Sequence, residues 1–285
     1  MTHTAVLAAA RRFDLAGAAL LERALDPLTR SVWPDVAWRF SELTVDGCPV
    51  ELGFSTHDSM LRATLEVAGP ECPNTERLDA ALRLLAHLDL PLPAPERVAA
   101  WRTMQAGHTL RWGCWLGLRV SAAGPRGKLY VEVPARYRSR VSAMEPAMLG
   151  YDPATGITEH YGPLASPTEA SLAHLFGIQA GPVLDALAEL TEMPLAIALG
   201  WVRIWYSVAT GPGIAPRQAL FFRAHAVKGG AARLRRKFSN NAGYQALFGA
   251  VSDHALPDHS ALTLAPDDRG GVELRAAISP MALAG

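Results

Sequence analysis

One pattern restricts this chain more than any other. Apolar and polar residues alternate with a period of two in runs that come in adjacent pairs, and stretches of helical periodicity separate the pairs. In the first pair, Val50, Leu52 and Phe54 alternate with Glu51, Gly53 and Ser55. After a turn around residues 56–59, Leu61, Ala63, Leu65 and Val67 oppose Arg62, Thr64 and Glu66. In the second, Leu110, Trp112, Cys114, Leu116, Leu118 and Val120 oppose Arg111, Gly113, Trp115, Gly117 and Arg119. Beyond Ala123-Gly124-Pro125, Leu129, Val131 and Val133 oppose Lys128, Tyr130 and Glu132. A third, shorter hairpin turns at Asp152 to Gly156, with Glu159 and Tyr161 on its second strand. The fourth sets Val202, Ile204, Tyr206 and Val208 against Trp201, Arg203, Trp205 and Ser207, and returns after Gly211-Pro212-Gly213 from Arg217 to Val227. The fifth runs from about Ala261 to Ile278 and turns at Asp267 to Gly271.

Between these pairs the apolar spacing changes to that of helices. It does so at Leu15, Ala18, Leu21, Leu25 and Leu28, at Leu78 to Leu88, and around Val98, Trp101 and Met104. Ser166-Pro167-Thr168-Glu169 reads as a capping box with proline at the first helical position, ahead of Leu172 and Leu175. Helical spacing resumes at Leu184, Leu187 and Leu190 and stops before Pro194, and a last helical region covers about Ala231 to Phe248. Each hairpin thus has one apolar face, which helices must cover. Its other face is polar yet carries Trp, Tyr and Phe. On an open sheet that face would put tryptophans in water. Closure removes the bare edges and turns the same face into the lining of a lumen. The expected fold is α+β: a closed ten-stranded antiparallel barrel of five hairpins surrounded by helices, in ααββ repeats. It forms one domain over residues 1–285, with its core at about 14–279.

Composition closes off several function classes. Lys and Arg together equal Asp and Glu, 27 against 27, so nothing draws the whole chain toward nucleic acid or anionic lipid. The Ala/Leu run near the N-terminus precedes Arg11 and Arg12, the reverse of a secretory signal, and no apolar stretch is long enough to span a bilayer. Cys48, Cys72 and Cys114 are scattered without CxxC spacing and read as reduced thiols of a cytoplasmic protein. The histidines lack metal-ligand spacing, and Asp267-Asp268 reads as a hairpin tip rather than a magnesium motif. The basic run Arg233 to Lys237 reads as a solvated helix face.

Three segments carry a family resemblance. Pro49-Val50-Glu51-Leu52-Gly53-Phe54-Ser55 is similar to the strand of dimethylallyltryptophan synthase-like enzymes that bears their acidic base. Leu61-Arg62-Ala63-Thr64-Leu65-Glu66 resembles their strand with a diphosphate-binding arginine. Gly127-Lys128-Leu129-Tyr130-Val131-Glu132 resembles their Lys-x-Tyr strand. The chain therefore resembles the ABBA, or prenyltransferase-barrel, aromatic prenyltransferases. The resemblance implies a prenyl diphosphate donor, an aromatic small molecule or peptide as acceptor, and no required cofactor or metal. It departs in the fourth hairpin, where Arg217-Gln218-Ala219-Leu220-Phe221 stands in place of the family's Arg-x-Lys-x-Tyr. It departs again in the third, where Glu159 stands where a lysine is expected.

Prenyl transfer needs a cationic cradle, an aromatic wall and a base. Under the resemblance, Arg62, Lys128, Tyr130, Arg217 and Arg275 would hold the diphosphate through charge-assisted bonds. Arg111, Arg119, Arg203 and Arg223 form a surplus on the same polar faces. Trp115, Tyr161, Trp205 and Phe221 would shield the allylic cation, and Glu51 would take a proton from an indole or phenol acceptor. The altered third and fourth hairpins keep open a second reading, in which the barrel has given up diphosphate and acts as a cyclase or isomerase on a bulky aromatic intermediate. A non-catalytic binding protein for a planar ligand is a third.

Overall fold

The computed structural model describes residues 3–29, 39–44, 46–58, 60–121, 123–138, 145–164, 166–201, 203–223, 230–248 and 259–280. Its strands are β1 (Val50–Ser55), β2 (Arg62–Glu66), β3 (Cys114–Ser121), β4 (Gly124–Glu132), β5 (Met148–Asp152), β6 (Ile157–Pro163), β7 (Trp205–Gly211), β8 (Ile214–Arg223), β9 (His259–Pro266) and β10 (Val272–Ile278). Each pairs antiparallel with its neighbours in sequence, and β10 pairs with β1, which closes the barrel. The expected architecture is the observed one. All the hairpin turns lie at one end, because the connections from one hairpin to the next join the strands at the other.

Alternation decides what faces where. Val50, Leu52 and Phe54 have no exposure, nor do Leu116, Leu129 and Leu220 on other strands. All point outward, beneath helices. Those helices are α1 (His3–Phe13), α2 (Leu15–Thr29), α3 (Arg77–His87), α4 (Pro95–Gln105), α5 (Glu169–Phe176), α6 (Ala180–Thr191), α7 (Leu195–Trp201), α8 (Gly230–Lys237) and α9 (Ala242–Phe248). The buried layer between shells is aromatic in places: Phe54 of β1 meets Phe238 and Tyr244 edge-on, with ring centroids 4.8 and 5.1 Å apart. Such pairs add roughly 0.5–1.5 kcal/mol each beyond their buried area.

Several local expectations change. The Ala/Leu run before Arg11 is helix α1, whose Val6 and Ala10 are fully buried, a short amphipathic stripe. Helix α5 is capped by Thr168, not Ser166: the Thr168 side chain accepts from the Ser171 N–H, and Ser171 Oγ accepts from the Thr168 N–H. Trp201 ends α7, so β7 starts only at Trp205, and β3 starts at Cys114 rather than Leu110. Val202 and the segment to Val227 beyond Arg223 lie outside the described residues. The last helical region is two helices, broken at Asn241, whose side-chain amide donates to the carbonyls of Ser55 and Asp58. The basic face of α8 is not simply solvated: Arg233 pairs with Glu192, and Lys237 reaches Glu189 of α6 at 2.5 Å.

Candidate active site

The inward faces enclose a cavity of about 220 Å³. It draws Glu51 from β1, Arg62 and Thr64 from β2, Lys128 and Tyr130 from β4, Glu159 and Tyr161 from β6, Phe221 from β8, and Arg275 from β10. Seven of the sequence-predicted site residues therefore share one chamber: Glu51, Arg62, Lys128, Tyr130, Tyr161, Phe221 and Arg275. Three do not. Trp115 sits near the helix end of the barrel, where its indole N–H donates to Glu66 at 3.0 Å and its ring stacks on Trp112 at 4.1 Å. Trp205, the first residue of β7, pairs with Phe221 but lies outside the lining. Arg217 is exposed close to the β7–β8 turn. All three have the inward parity, yet none joins the lining, although Trp115 lies opposite Tyr130 and Trp205 opposite Phe221. Of the surplus arginines only Arg119 lines the cavity. Arg111 is mostly exposed and bonded to Glu42, and Arg203 and Arg223 are exposed.

The aromatic wall is Tyr130, Tyr161 and Phe221. Ring centroids are 5.9 Å apart for the first pair and 5.4 Å for the second. The Lys128 ammonium lies 5.3 and 5.2 Å from the two tyrosine centroids, so these rings already accommodate a cation. Two glycines make room for this packing. A Cβ on Gly117 would come within 2.9 Å of the Tyr130 ring, and one on Gly150 within 2.5 Å of the Lys128 side chain. A side chain at either position would push the lysine or the ring out of place.

Four of the chamber's five cations are met by carboxylates. Lys128 pairs with Glu159 and donates to the Tyr161 hydroxyl at 2.8 Å. Tyr161 and Ser207 both donate to Glu159, each at 2.6 Å. Arg275 binds Glu273 at 2.5 Å, and Ser55 donates to the same carboxylate. Arg62 grips Asp58 with two nitrogens, at 2.9 and 2.6 Å. Arg119 reaches Asp152 at 3.2 Å. Sequence reading had noted Glu159 only as a substitution and had missed Glu273, Asp58 and Asp152. Their partners are set by register and turn geometry, and no local signal announces them.

Titration follows from these pairings. Burial raises the Glu159 carboxyl, but the Lys128 charge and its hydrogen bonds outweigh that and bring it to about 2. Burial likewise opposes ionisation of Glu273, and Arg275, Ser55 and Arg62 together bring it to about 2. Glu51 goes the other way. Removal from water raises its pKa, against the Ser260 hydroxyl, which donates at 2.6 Å, and the charge of Arg223. Burial, and then the Glu159 charge, push the Tyr161 phenol far above its usual range, so it stays a neutral donor.

An acid test follows. Glu159 and Glu273 have folded pKa values below the unfolded glutamate value of about 4.3, so each stabilises the fold fully above that value. The contribution drains away as pH falls from about 4.3 toward 2. Thermal melts across that window are expected to drop more steeply for the wild type than for Glu273→Gln. Parallel curves would rule out this source of acid sensitivity.

Comparison with solved structures gives close overall matches at low identity. 5-Dimethylallyltryptophan synthase from Streptomyces coelicolor aligns with a TM-score of 0.69 at 13% identity, covering 99% of this chain and 98% of that one. A 6-dimethylallyltryptophan synthase aligns at 0.73 and 13%, covering 98% and 95%. The chain has the fold of the aromatic prenyltransferases. The enzyme from Micromonospora olivasterospora, solved in complex with DMASPP and Trp, is a further prenyltransferase barrel of this shape, at TM-score 0.68 and 14% identity over 96% and 95% of the two chains. No protein-family model matches the sequence, and neither does any curated protein. Among the described residues no group of three or more His, Cys, Asp and Glu side chains is placed to hold a metal ion. No helix among them is long and apolar enough to cross a membrane.

Proposed function

We propose that this protein is an aromatic prenyltransferase that transfers an allylic group from a prenyl diphosphate to an indole or other electron-rich ring. The observation that carries this reading is the meeting, inside one closed barrel, of an acid–base carboxylate, five cations and three aromatic rings. The fold's solved relatives support it: their names give dimethylallyltryptophan synthesis, and one was solved with tryptophan and DMASPP bound.

In the reaction the allylic C–O bond breaks and its electron pair leaves with the diphosphate. Cations lining the chamber stabilise that charge where water is scarce. Tyr130, Tyr161 and Phe221 face the allylic cation, and the acceptor ring supplies the electrons for the new C–C or C–N bond. One proton leaves the acceptor overall, and Glu51 is the carboxylate positioned to take it. Its raised pKa makes it a better base than a solvated glutamate. The reading needs no cofactor beyond the donor. Purified protein incubated with dimethylallyl or geranyl diphosphate and a panel of indoles and phenols, tryptophan included, is expected to give a prenylated product. Absence of product from every pair would refute it.

The second reading, a cyclase or isomerase on a bulky aromatic intermediate, draws on one specific observation. Lys128 and Arg275, two of the expected diphosphate ligands, are neutralised by Glu159 and Glu273. A chamber with no affinity for pyrophosphate, together with turnover of a diphosphate-free substrate, would favour it.

A further inference from the structure

The neutralised side of the chamber raises the question of where a diphosphate would be held, and the strand register supplies an answer on the other side. Arg62 of β2 lies opposite Arg119 of β3, and Arg119 lies opposite Arg126 of β4. Three guanidinium-bearing residues thus occupy one row across three adjacent strands, on the inward face, and all three line the cavity. Like charges directly opposite one another on paired strands oppose folding, and an anion bound to each member relieves that repulsion. The protein provides two: Asp58 from the β1–β2 turn binds Arg62, and Asp152 at the end of β5 binds Arg119. Arg126 is half-buried and has no hydrogen-bond or ion-pair partner among the described residues. The row is one anion short.

We propose that the Arg62–Arg119–Arg126 row is the anchor for the donor's diphosphate, with Arg126 as its first ligand. The inference rests on the prenyl-transfer reading and moves the anion site away from Lys128 and Arg275 to the hairpin-turn end of the barrel. Donor supply fits. A guanidinium carries five N–H donors; Arg119 uses a single nitrogen on Asp152, and Arg126 uses none on its own protein. Two planar forks side by side match the oxygens of a diphosphate, which has more than one phosphoryl group to grip. From that position the allylic chain extends along the barrel past Lys128 toward Tyr130, Tyr161 and Phe221. Sequence reading passed over Arg126 because it follows Gly124-Pro125 and looks like part of a turn. Its parity with Lys128 and Tyr130 was the available signal.

The test is calorimetric titration with inorganic pyrophosphate, repeated with the unreactive donor analogue dimethylallyl thiolodiphosphate. Wild type, Arg126→Gln and Arg119→Gln are compared with a control, Arg269→Gln, on the exposed β9–β10 turn. Wild type and control are expected to bind alike. Losing Arg126 is expected to weaken binding roughly 10- to 100-fold, as befits one multidentate charge-assisted contact. Arg126 has no partner to lose, so its substitution leaves the melting temperature unchanged. Wild-type affinity in Arg126→Gln overturns the anchor and leaves the prenyl-transfer reading standing. No binding of either probe to the wild type overturns both.

Discussion

Substituting Glu51 with Gln is expected to reduce prenyl transfer by about 10²–10⁴-fold, the usual contribution of a positioned general base, while pyrophosphate binding stays as in the wild type. The amide keeps the side chain's shape and can still accept from the Ser260 hydroxyl, so the chamber has no reason to change. What disappears is the capacity to take a proton. The same group predicts a pH profile. The base works only when ionised, so kcat/KM falls as pH drops through its pKa. Burial places that limb above the ordinary glutamate value of about 4.3. Because the Ser260 hydrogen bond favours the ionised form, Ser260→Ala is expected to move the limb to still higher pH. Glu51→Gln at wild-type turnover, or a limb unmoved in Ser260→Ala, would remove Glu51 from the role of base.

Breaking the Lys128–Glu159 pair from one side is expected to be the most damaging single change to stability. In Lys128→Met, Glu159 remains among Tyr161 and Ser207 with no cation hydrogen-bonded to it, enclosed by the barrel. One-sided loss of a buried pair costs about 3–5 kcal/mol. The low end applies here, since the lysine and glutamate side chains keep 25% and 15% exposure. For a chain of this size about 3 kcal/mol lowers Tm by roughly 6–12 °C. The double variant Lys128→Met/Glu159→Gln removes the stranded charge and is expected to recover most of that loss. A double variant melting no higher than the single would show that the pair is not what Lys128 contributes. Glu159→Gln alone frees the ammonium and is expected to strengthen pyrophosphate binding.

How much of this was legible in the residues themselves differs from one element to the next. The alternation of Val50, Leu52 and Phe54 with Glu51 and Gly53 was unambiguous, because strand side chains point to opposite faces whatever surrounds them. Helix α1 was missed because its Ala/Leu run was weighed only as a targeting signal. The start of β7 was misplaced because Trp201 and Arg203 continue the period-two pattern while the backbone at 195–201 is helical. Parity placed Trp115, Trp205 and Arg217 correctly on the inner face. It carried no information on which inward side chains reach the shared chamber, for Trp115 lies opposite Tyr130 and Trp205 opposite Phe221 without joining the lining.

By itself the sequence determined the fold and the identity of the inward side chains, since both follow from local periodicity and from the need of a long antiparallel sheet to close its edges. The tertiary structure alone decided which inward groups meet. Ser260 reaches Glu51 across 209 positions of chain, Ser55 reaches Glu273 across 218, and Lys128 meets Glu159 across two strand boundaries. Those contacts depend on barrel closure and strand register, long-range quantities with no local signature, and they set the chamber's charge.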